Sequence, residues 1–460
     1  MDPWNPQAME SNAVRSDEGA VPGAVVMQEK TSGLERIFQN VRSAWLDLAQ
    51  SKDQQRLRDR IAACIEGRSG EISARRRAIE LGRSYLALDS DGRSRFLRML
   101  AEFDVDHASV QSVADRLRAA EDVDVQRSLR RELRETLTAP RTRLLRQFTS
   151  LPDGVKFLVD LRADLLQLRG HDPLLRDLEV DLRGLLASWF DVGFLDLRKV
   201  TWDAPASFLE RLAGYEAVHE MRGWQDLKHR LQGNRRCFAF VHPLMPDEPI
   251  IFVEVALLSE IATAIAPLLA RTDPGSALDP NDAEVAIFYS ISNCQRGLEG
   301  ISFGNALIKR VVSELSGEFR GLRTFATLSP IPGFRTWLET HAKGSDAPLA
   351  AMLAKRSWHR DPAVAEALRG PVMRLCAHYL LDERRSDGRA LDPVANFHVS
   401  NGARVERIDW LGDLSAKALA ESAGLMVNYL YKLDSIDANH EAYAVDRRIV
   451  ASPAVRALAH

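Results

Sequence analysis

The run Ala286-Ile-Phe-Tyr-Ser-Ile-Ser-Asn-Cys-Gln-Arg-Gly-Leu-Glu-Gly-Ile-Ser-Phe-Gly-Asn-Ala-Leu-Ile-Lys309 is the stretch of this chain best suited to chemistry. A β-rich segment breaks into a loop holding Gly297, Gly300 and Gly304, and an amphipathic helix follows with Leu307, Ile308, Val311, Val312 and Leu315 on its apolar side. A strand that ends in glycines and opens a helix can present free backbone N–H groups to a phosphate-bearing ligand. Glycines in that place also serve a tight turn and close packing, so both readings stand. The spacing is not G-x-G-x-x-G, and no acidic ribose partner follows on a later strand, which argues against a dinucleotide fold. G-x-x-x-x-G-K-[ST] is absent as well, which argues against a nucleotide-hydrolysing loop.

Metal chemistry finds little support. His219-Glu220 begins an H-E-x-x-H pattern, but Gly223 stands where the second histidine belongs. Four cysteines (Cys64, Cys237, Cys294 and Cys376) are scattered without C-x-x-C spacing, which argues against a zinc site or a disulfide framework and fits a reducing compartment. Cys294 lies in the glycine loop, where a buried small hydrophobe is the simpler expectation than a modifiable thiol.

The elements that must position this loop divide the chain in two. From Leu34 to about Leu195 apolar residues recur at three- and four-residue spacing in Leu34–Leu48, Leu57–Ile65, Ile72–Leu86, Phe96–Ala101, Val110–Leu117 and Leu129–Leu137. Arg141–Phe148, Gly154–Leu168 and Leu174–Trp189 complete an expected helical bundle over 34–195. After that the period changes. Cys237–Val241 and Ile250–Val255 read as strands joined by a turn at Pro243–Pro249, followed by a helix at Leu257–Ala270 and a polar loop at Arg271–Asp282. Then come the Ala286 strand, a Phe303–Glu318 helix, the Arg323 strand, a helix near Phe334–Thr340 and a helical insertion near 347–383. Strands are expected again at Asn396–Val399, Ala403–Asp409 and Met426–Tyr431. The expected fold class is therefore α+β, an all-α bundle followed by a mixed-sheet domain over 196–460.

At 460 residues, 45% hydrophobic and 27% charged, the chain has the composition of a soluble two-domain protein. A net charge of −3 gives no field to recruit nucleic acid or an anionic membrane, and no apolar run approaches the ~20 residues needed to span a bilayer. Residues 1–33, with acidic, Gly and Pro residues and no secretory core, read as a disordered leader. The end Ala457-Leu-Ala-His460 carries no Ser-Lys-Leu signal, so a cytoplasmic location is expected.

The glycine loop resembles the Gln/Arg-x-x-Gly-x-Gly/Ala pyrophosphate loop of the GNAT acyltransferases, which bind coenzyme A, and the order of elements is close to the GNAT core. Further blocks extend the likeness: Tyr215-Glu-Ala-Val-His219, Trp224-Gln-Asp-Leu-Lys228, Arg236-Cys-Phe-Ala-Phe-Val-His-Pro-Leu-Met-Pro-Asp-Glu-Pro249, Ser329-Pro-Ile-Pro-Gly-Phe-Arg-Thr-Trp-Leu338, Asn396-Phe-His-Val-Ser-Asn-Gly402 and Gly424-Leu-Met-Val-Asn-Tyr-Leu-Tyr431. In this order, from about Gly214 to Tyr431, they resemble the malonyl-CoA decarboxylase family.

The resemblance implies a catalytic Ser329 and His398, with Ser290 and Tyr431 near the reacting group as donors to an enolate oxygen or guides for the carboxylate. It implies malonyl-CoA as substrate, acetyl-CoA and CO₂ as products, a homo-oligomer (a tetramer, as in relatives), and neither a cofactor nor a metal. For coenzyme A it implies contacts from Gln295, Arg296, Gly297, Leu298, Glu299 and Gly300, mainly through backbone amides, with Lys309 or Arg310 near phosphates. His242 either lines the site or is structural. At Ser302 the chain departs from many relatives, which have glutamate in a Glu-Leu-Gly run. A GNAT-type acyltransferase is the alternative function; it shares fold and loop but leaves Ser329 with His398 unexplained.

Overall fold

A computed structural model describes residues 53–66, 71–168, 170, 172–270, 278–301, 306–341, 347–355 and 357–459. The expected leader over 1–33, the first expected helix and Ser302 lie outside these residues. Residues 60–460 form one compact unit, and residues 53–59, which are helical, fall outside it.

The first half of that unit is helical: Glu71–Leu86, Ser90–Ala101, His107–Ala119, Val123–Thr136, Arg141–Gln147, Gly154–Leu168 and Pro173–Trp189. Asp89, Asp106, Asp122 and Asp172 each precede a helix and accept its first N–H groups, which fixes where those helices begin. Leu97, Leu100, Leu144, Phe148, Leu158, Leu161, Leu182 and Leu186 are removed from solvent between them. Two arginines are buried with them. Arg141 is held by Asp104 and Asp181, and Arg162 by Glu179.

The second half is built on eight strands: β1 (Asp196–Val200), β2 (Arg235–His242), β3 (Met245–Leu258), β4 (Val285–Asn293), β5 (Thr324–Thr327), β6 (Ser329–Pro330), β7 (Arg404–Asp409) and β8 (Met426–Leu430). They form one mixed sheet in the order β1-β2-β3-β4-β5-β8-β6, with β7 also paired to β8. β1 to β4 run antiparallel, and β4 and β5 run parallel on either side of the helix Ala306–Glu318. The architecture is α+β, a helical half followed by a mixed sheet.

The β4–β5 ladder covers only Val285–Phe288 against Thr324–Thr327. Past Phe288, β4 stays with β3, while the other strand turns away so that Ser329 pairs with Val427 of β8. The parting opens a cleft between Ser290 and Ser329, because a parallel pair that loses its ladder leaves its side chains facing across a gap.

Several elements differ from the sequence-based expectation. β3 continues to Leu258 because Val255–Leu258 pair with β4 and the Leu257 N–H donates to Asn234 O, so of the expected helix at Leu257–Ala270 only Ala266–Leu269 is helical. The Pro243–Pro249 segment is a tight turn followed by strand, with Pro249 opposite Val241 at a register shift, where a missing N–H is tolerated. β1 has no counterpart among the expected strands. Asn396–Val399 lies in a helix, Pro393–Ser400, not a strand. Asp392 accepts from the Val394 and Ala395 N–H groups, and Pro393 occupies the first turn, where no N–H is needed.

This cap sets the helix that carries His398. Asp392→Ala is expected to lower stability by about 1–2 kcal/mol and to cut turnover, whereas Asp392→Asn retains an acceptor and most of both. Thermal unfolding and activity of the two variants check this; equal losses in both would show that the cap bonds are not what holds the helix.

Candidate active site

Ser329 and His398, 69 positions apart, meet at 3.1 Å between Oγ and Nε2. The serine is held by the backbone pairing of β6 to β8, and its Oγ also lies 2.8 Å from Thr327 Oγ1, which in turn accepts the Tyr429 N–H. On the far side of the imidazole, Nδ1 lies 2.8 Å from the Tyr431 hydroxyl. The Tyr429 ring stacks on the imidazole at 4.5 Å between centroids. His398 is 3% exposed, and burial pushes its pKa down to about 3, so the ring is neutral and carries one N–H. The Ser329 hydroxyl donates its one proton to Thr327 Oγ1, so Nε2–H donates to Ser329 Oγ and Tyr431 donates to Nδ1.

These groups flank a cavity of about 260 Å³, walled by Phe288, Ser290, Leu328, Ser329, Phe397 and His398 among others. Among the described residues that line it there is no arginine or lysine. Ser290 faces Ser329 across the parted strands, but its hydroxyl sits 2.9 Å from both carboxylate oxygens of Glu216. That carboxylate is fixed by the N–H groups of Val218 and His219 and by Ser292 Oγ. Ser290 therefore directs its one proton to Glu216 and turns lone pairs to the cavity, which corrects the expected donor role. Tyr431 is likewise not among the residues lining the cavity; it stands behind His398 and acts on the imidazole. Glu216 is a site residue that the sequence did not single out. It belongs to the Tyr215–His219 block, where the adjacent His219-Glu220 pair is the more conspicuous candidate for a ligand.

Asn293 and Phe397 also line a second cavity of about 490 Å³ beside the glycine turn, together with Arg296, Glu299, Gly300 and Arg389. Arg296–Leu298 form a single 3₁₀ turn in which the Leu298 N–H donates to Gln295 O and the Glu299 N–H to Arg296 O. Two of the expected phosphate-facing amides are thus already bonded within the turn. Gly300 is open: its φ is +75°, and a Cβ there would meet nothing within 4 Å. Gly297 is not open. A Cβ there would lie 1.7 Å from Val159 O, so this glycine exists for packing against the helix Gly154–Leu168. Leu298 is buried beside it.

The other expected coenzyme contacts divide in the same way. Gln295 is buried and its amide donates to Pro249 O, so its side chain anchors the turn to β3. Lys309 is paired with Asp437, and Arg310 donates to Leu195 O and lies over the Phe240 ring. Arg296 is the expected cation that lines the second cavity.

His242 is structural: Nδ1 accepts the Leu244 N–H and Nε2 donates to Trp189 O. Cys294 is buried and its thiol pKa raised, chiefly by desolvation; Cys64, Cys237 and Cys376 are also buried and free. A third cavity of about 730 Å³, with His219, Arg222, Asp226 and Lys417 in its wall, shares Val218 and Pro330 with the dyad cavity. Among the described residues no group of three or more His, Cys, Asp or Glu side chains could hold a metal, and no helix is long and apolar enough to cross a membrane.

Comparison with known proteins gives a consistent picture. The family model described as malonyl-CoA decarboxylase C-terminal domain matches residues 193–460, and that described as malonyl-CoA decarboxylase N-terminal domain matches residues 103–190. The chain is 37% identical over 418 residues to the mitochondrial malonyl-CoA decarboxylase of Anser anser anser, covering 83% of each chain. Against that of Rattus norvegicus it is 37% identical over 401 residues, covering 80% of this chain and 81% of the relative. The crystal structure of malonyl-CoA decarboxylase from Agrobacterium vitis superposes with a TM-score of 0.82 at 39% identity, covering 88% of this chain and 99% of the other. That from Rhodopseudomonas palustris superposes at 0.81 with 40% identity, over 88% and 99%. With this extent of sequence and fold in common, the chain belongs to the malonyl-CoA decarboxylase family.

Proposed function

We propose that the chain converts malonyl-CoA to acetyl-CoA and CO₂, and that Ser329 and His398 move the proton this requires. The observation that carries the reading is the Ser329–His398 contact in a small cavity next to the glycine turn. Cleaving the bond between the α-carbon and the carboxylate leaves its electron pair on the thioester as an enolate. The thioester is the electron sink, so neither metal nor cofactor is required. Walls of Phe288, Leu328 and Phe397 favour a dispersed enolate and neutral CO₂ over a compact carboxylate. A lining without arginine or lysine also avoids tightening the ground state, which would slow loss of CO₂.

The enolate carbon then takes the Ser329 hydroxyl proton. Nε2–H then restores the serine and the Tyr431 hydroxyl restores the imidazole. The negative charge of the carboxylate stays behind when neutral CO₂ departs, passes from the enolate to the relay, and is neutralised when the relay takes up a solvent proton, so the net reaction consumes one. Ser290 and Glu216 hold the opposite wall. The pyrophosphate of coenzyme A is assigned to the cavity at Arg296 and Gly300. Four buried free thiols support a reducing compartment such as the cytoplasm. Exposed Val123, Val125 and Leu137 on the helical half support self-association, a tetramer by likeness to relatives.

Three outcomes test this. CO₂ release from malonyl-CoA alone, with EDTA present, is expected for the wild-type protein and should fall by about 10²–10⁴ in Ser329→Ala; an untouched substrate without an added amine acceptor would instead favour an acyltransferase. His398→Asn should lose about 10² or more in turnover with little change in CoA affinity, and unchanged turnover would remove the histidine from the mechanism. Buried neutral, His398 binds a proton near 3 in the fold and near 6.5 in the unfolded chain. Between those values the unfolded state holds more protons, so stability contributed at this site rises with pH across that window. Urea titrations at stepped pH should show wild type losing more stability toward acid than His398→Asn; parallel losses would contradict the burial argument.

A further inference from the structure

We propose that the helical half of the protein sets the shape of the coenzyme A turn, with Arg162 as the positioning residue; this rests on the functional reading above. Arg162, on the helix Gly154–Leu168, is 1% exposed. Its Nη2 and Nε donate to Glu179 Oε1 at 2.6 and 3.2 Å, and its Nη1 donates to the Gly297 carbonyl at 2.6 Å across 135 residues of sequence. Glu179 is itself buried, on the helix Pro173–Trp189. A buried ion pair contributes little net stability compared with apolar side chains of the same volume, so this one is explained better by what it holds in place.

What it holds is the peptide between Gly297 and Leu298. The carbonyl of that peptide takes the guanidinium, and its N–H donates to Gln295 O to close the 3₁₀ turn. A charge-assisted bond on the carbonyl polarises the peptide and strengthens the bond made by the N–H. Packing acts in the same direction. Val159 O approaches so near Gly297 that no side chain fits between them, and the turn lies flat against the helix. The face of the turn away from the helix presents Arg296 and Gly300 to the cavity assigned to coenzyme A. The chemistry at Ser329 is served by other elements, so the helical half contributes to ligand binding and not to the proton relay.

Among the described residues the other buried arginine of this half is a matched control. Arg141 is 2% exposed and bonded to Asp181, Asp104 and Ala101 O, with no contact to the turn among its hydrogen bonds and ion pairs. Full-length Arg162→Met, Glu179→Gln and Arg141→Met are compared for melting temperature, kcat and KM with malonyl-CoA, and for CoA affinity by calorimetry. Leaving the Gly297 carbonyl without its donor should raise KM and the CoA dissociation constant about tenfold in Arg162→Met, with kcat at saturation within about twofold. Glu179→Gln should give a smaller rise of the same kind, and it carries the test if Arg162→Met does not fold. Arg141→Met should lower the melting temperature and leave both constants within about twofold of wild type. Unchanged CoA affinity in folded Arg162→Met, or an equal loss in Arg141→Met, overturns the assignment. Should the wild type bind CoA yet leave malonyl-CoA intact, the decarboxylase reading fails while the calorimetric comparison still decides this one.

Discussion

The structure turns on a neutral imidazole buried between two hydroxyls. His398 has a single N–H for two hydrogen-bonding ring nitrogens, and Ser329 and Tyr431 each lie within bonding distance of one of them. In water such an arrangement would exchange with solvent and carry no direction. Walled by Tyr429, Phe397 and the end of β4, it passes protons along the chain of three groups, whose Ser329 end borders the cavity. The elements around it serve that constraint. β8 supplies Tyr429 and pairs with Ser329, Tyr431 follows directly on it, and the capped helix Pro393–Ser400 brings in the histidine.

The parted sheet explains why this trio sits where it does. Had β4 and β5 stayed paired beyond Phe288, Ser290 and Ser329 would be ladder neighbours with no room between them. Their separation creates the cavity, and the turn after β4 borders a second cavity that shares Asn293 and Phe397 with it. Glu216 stiffens the side of the gap opposite the dyad by gathering two backbone N–H groups and two serine hydroxyls onto one carboxylate. The helical half, through Arg162 and Val159, meets the turn from behind.

Much of this is legible in the residues. The helical half can be read from its three- and four-residue spacing, since each helix buries one stripe. β4, the glycine turn and the following helix form a strand-loop-helix pattern with few other interpretations. The departures share a cause: the deciding signal is tertiary. Val255–Leu258 has apolar residues that suit helix or strand, and pairing with both neighbours decides for strand. Phe397 and Val399 flank His398 as in a strand, while the short Asp392-Pro393 cap signal determines helix. Gly297 carries no local mark that separates packing from ligand approach, because the atom it accommodates, Val159 O, comes from the other half of the chain. Ser290 is recognisable as a site residue, but the direction of its proton depends on Glu216, 74 residues away.

In the mechanism proposed above, Ser329 passes a proton and never takes the acyl group. The serine does not stand on the strand-to-helix elbow that strains a nucleophilic serine toward its substrate; it lies in β6, and Pro330 and Pro332 follow. Intact-mass analysis of the wild-type protein, acid-quenched at intervals during turnover of malonyl-CoA, separates the two roles. Proton transfer requires protein of unmodified mass at every time point while CO₂ accumulates. A malonyl or acetyl adduct on Ser329 that forms and decays as fast as turnover would contradict it.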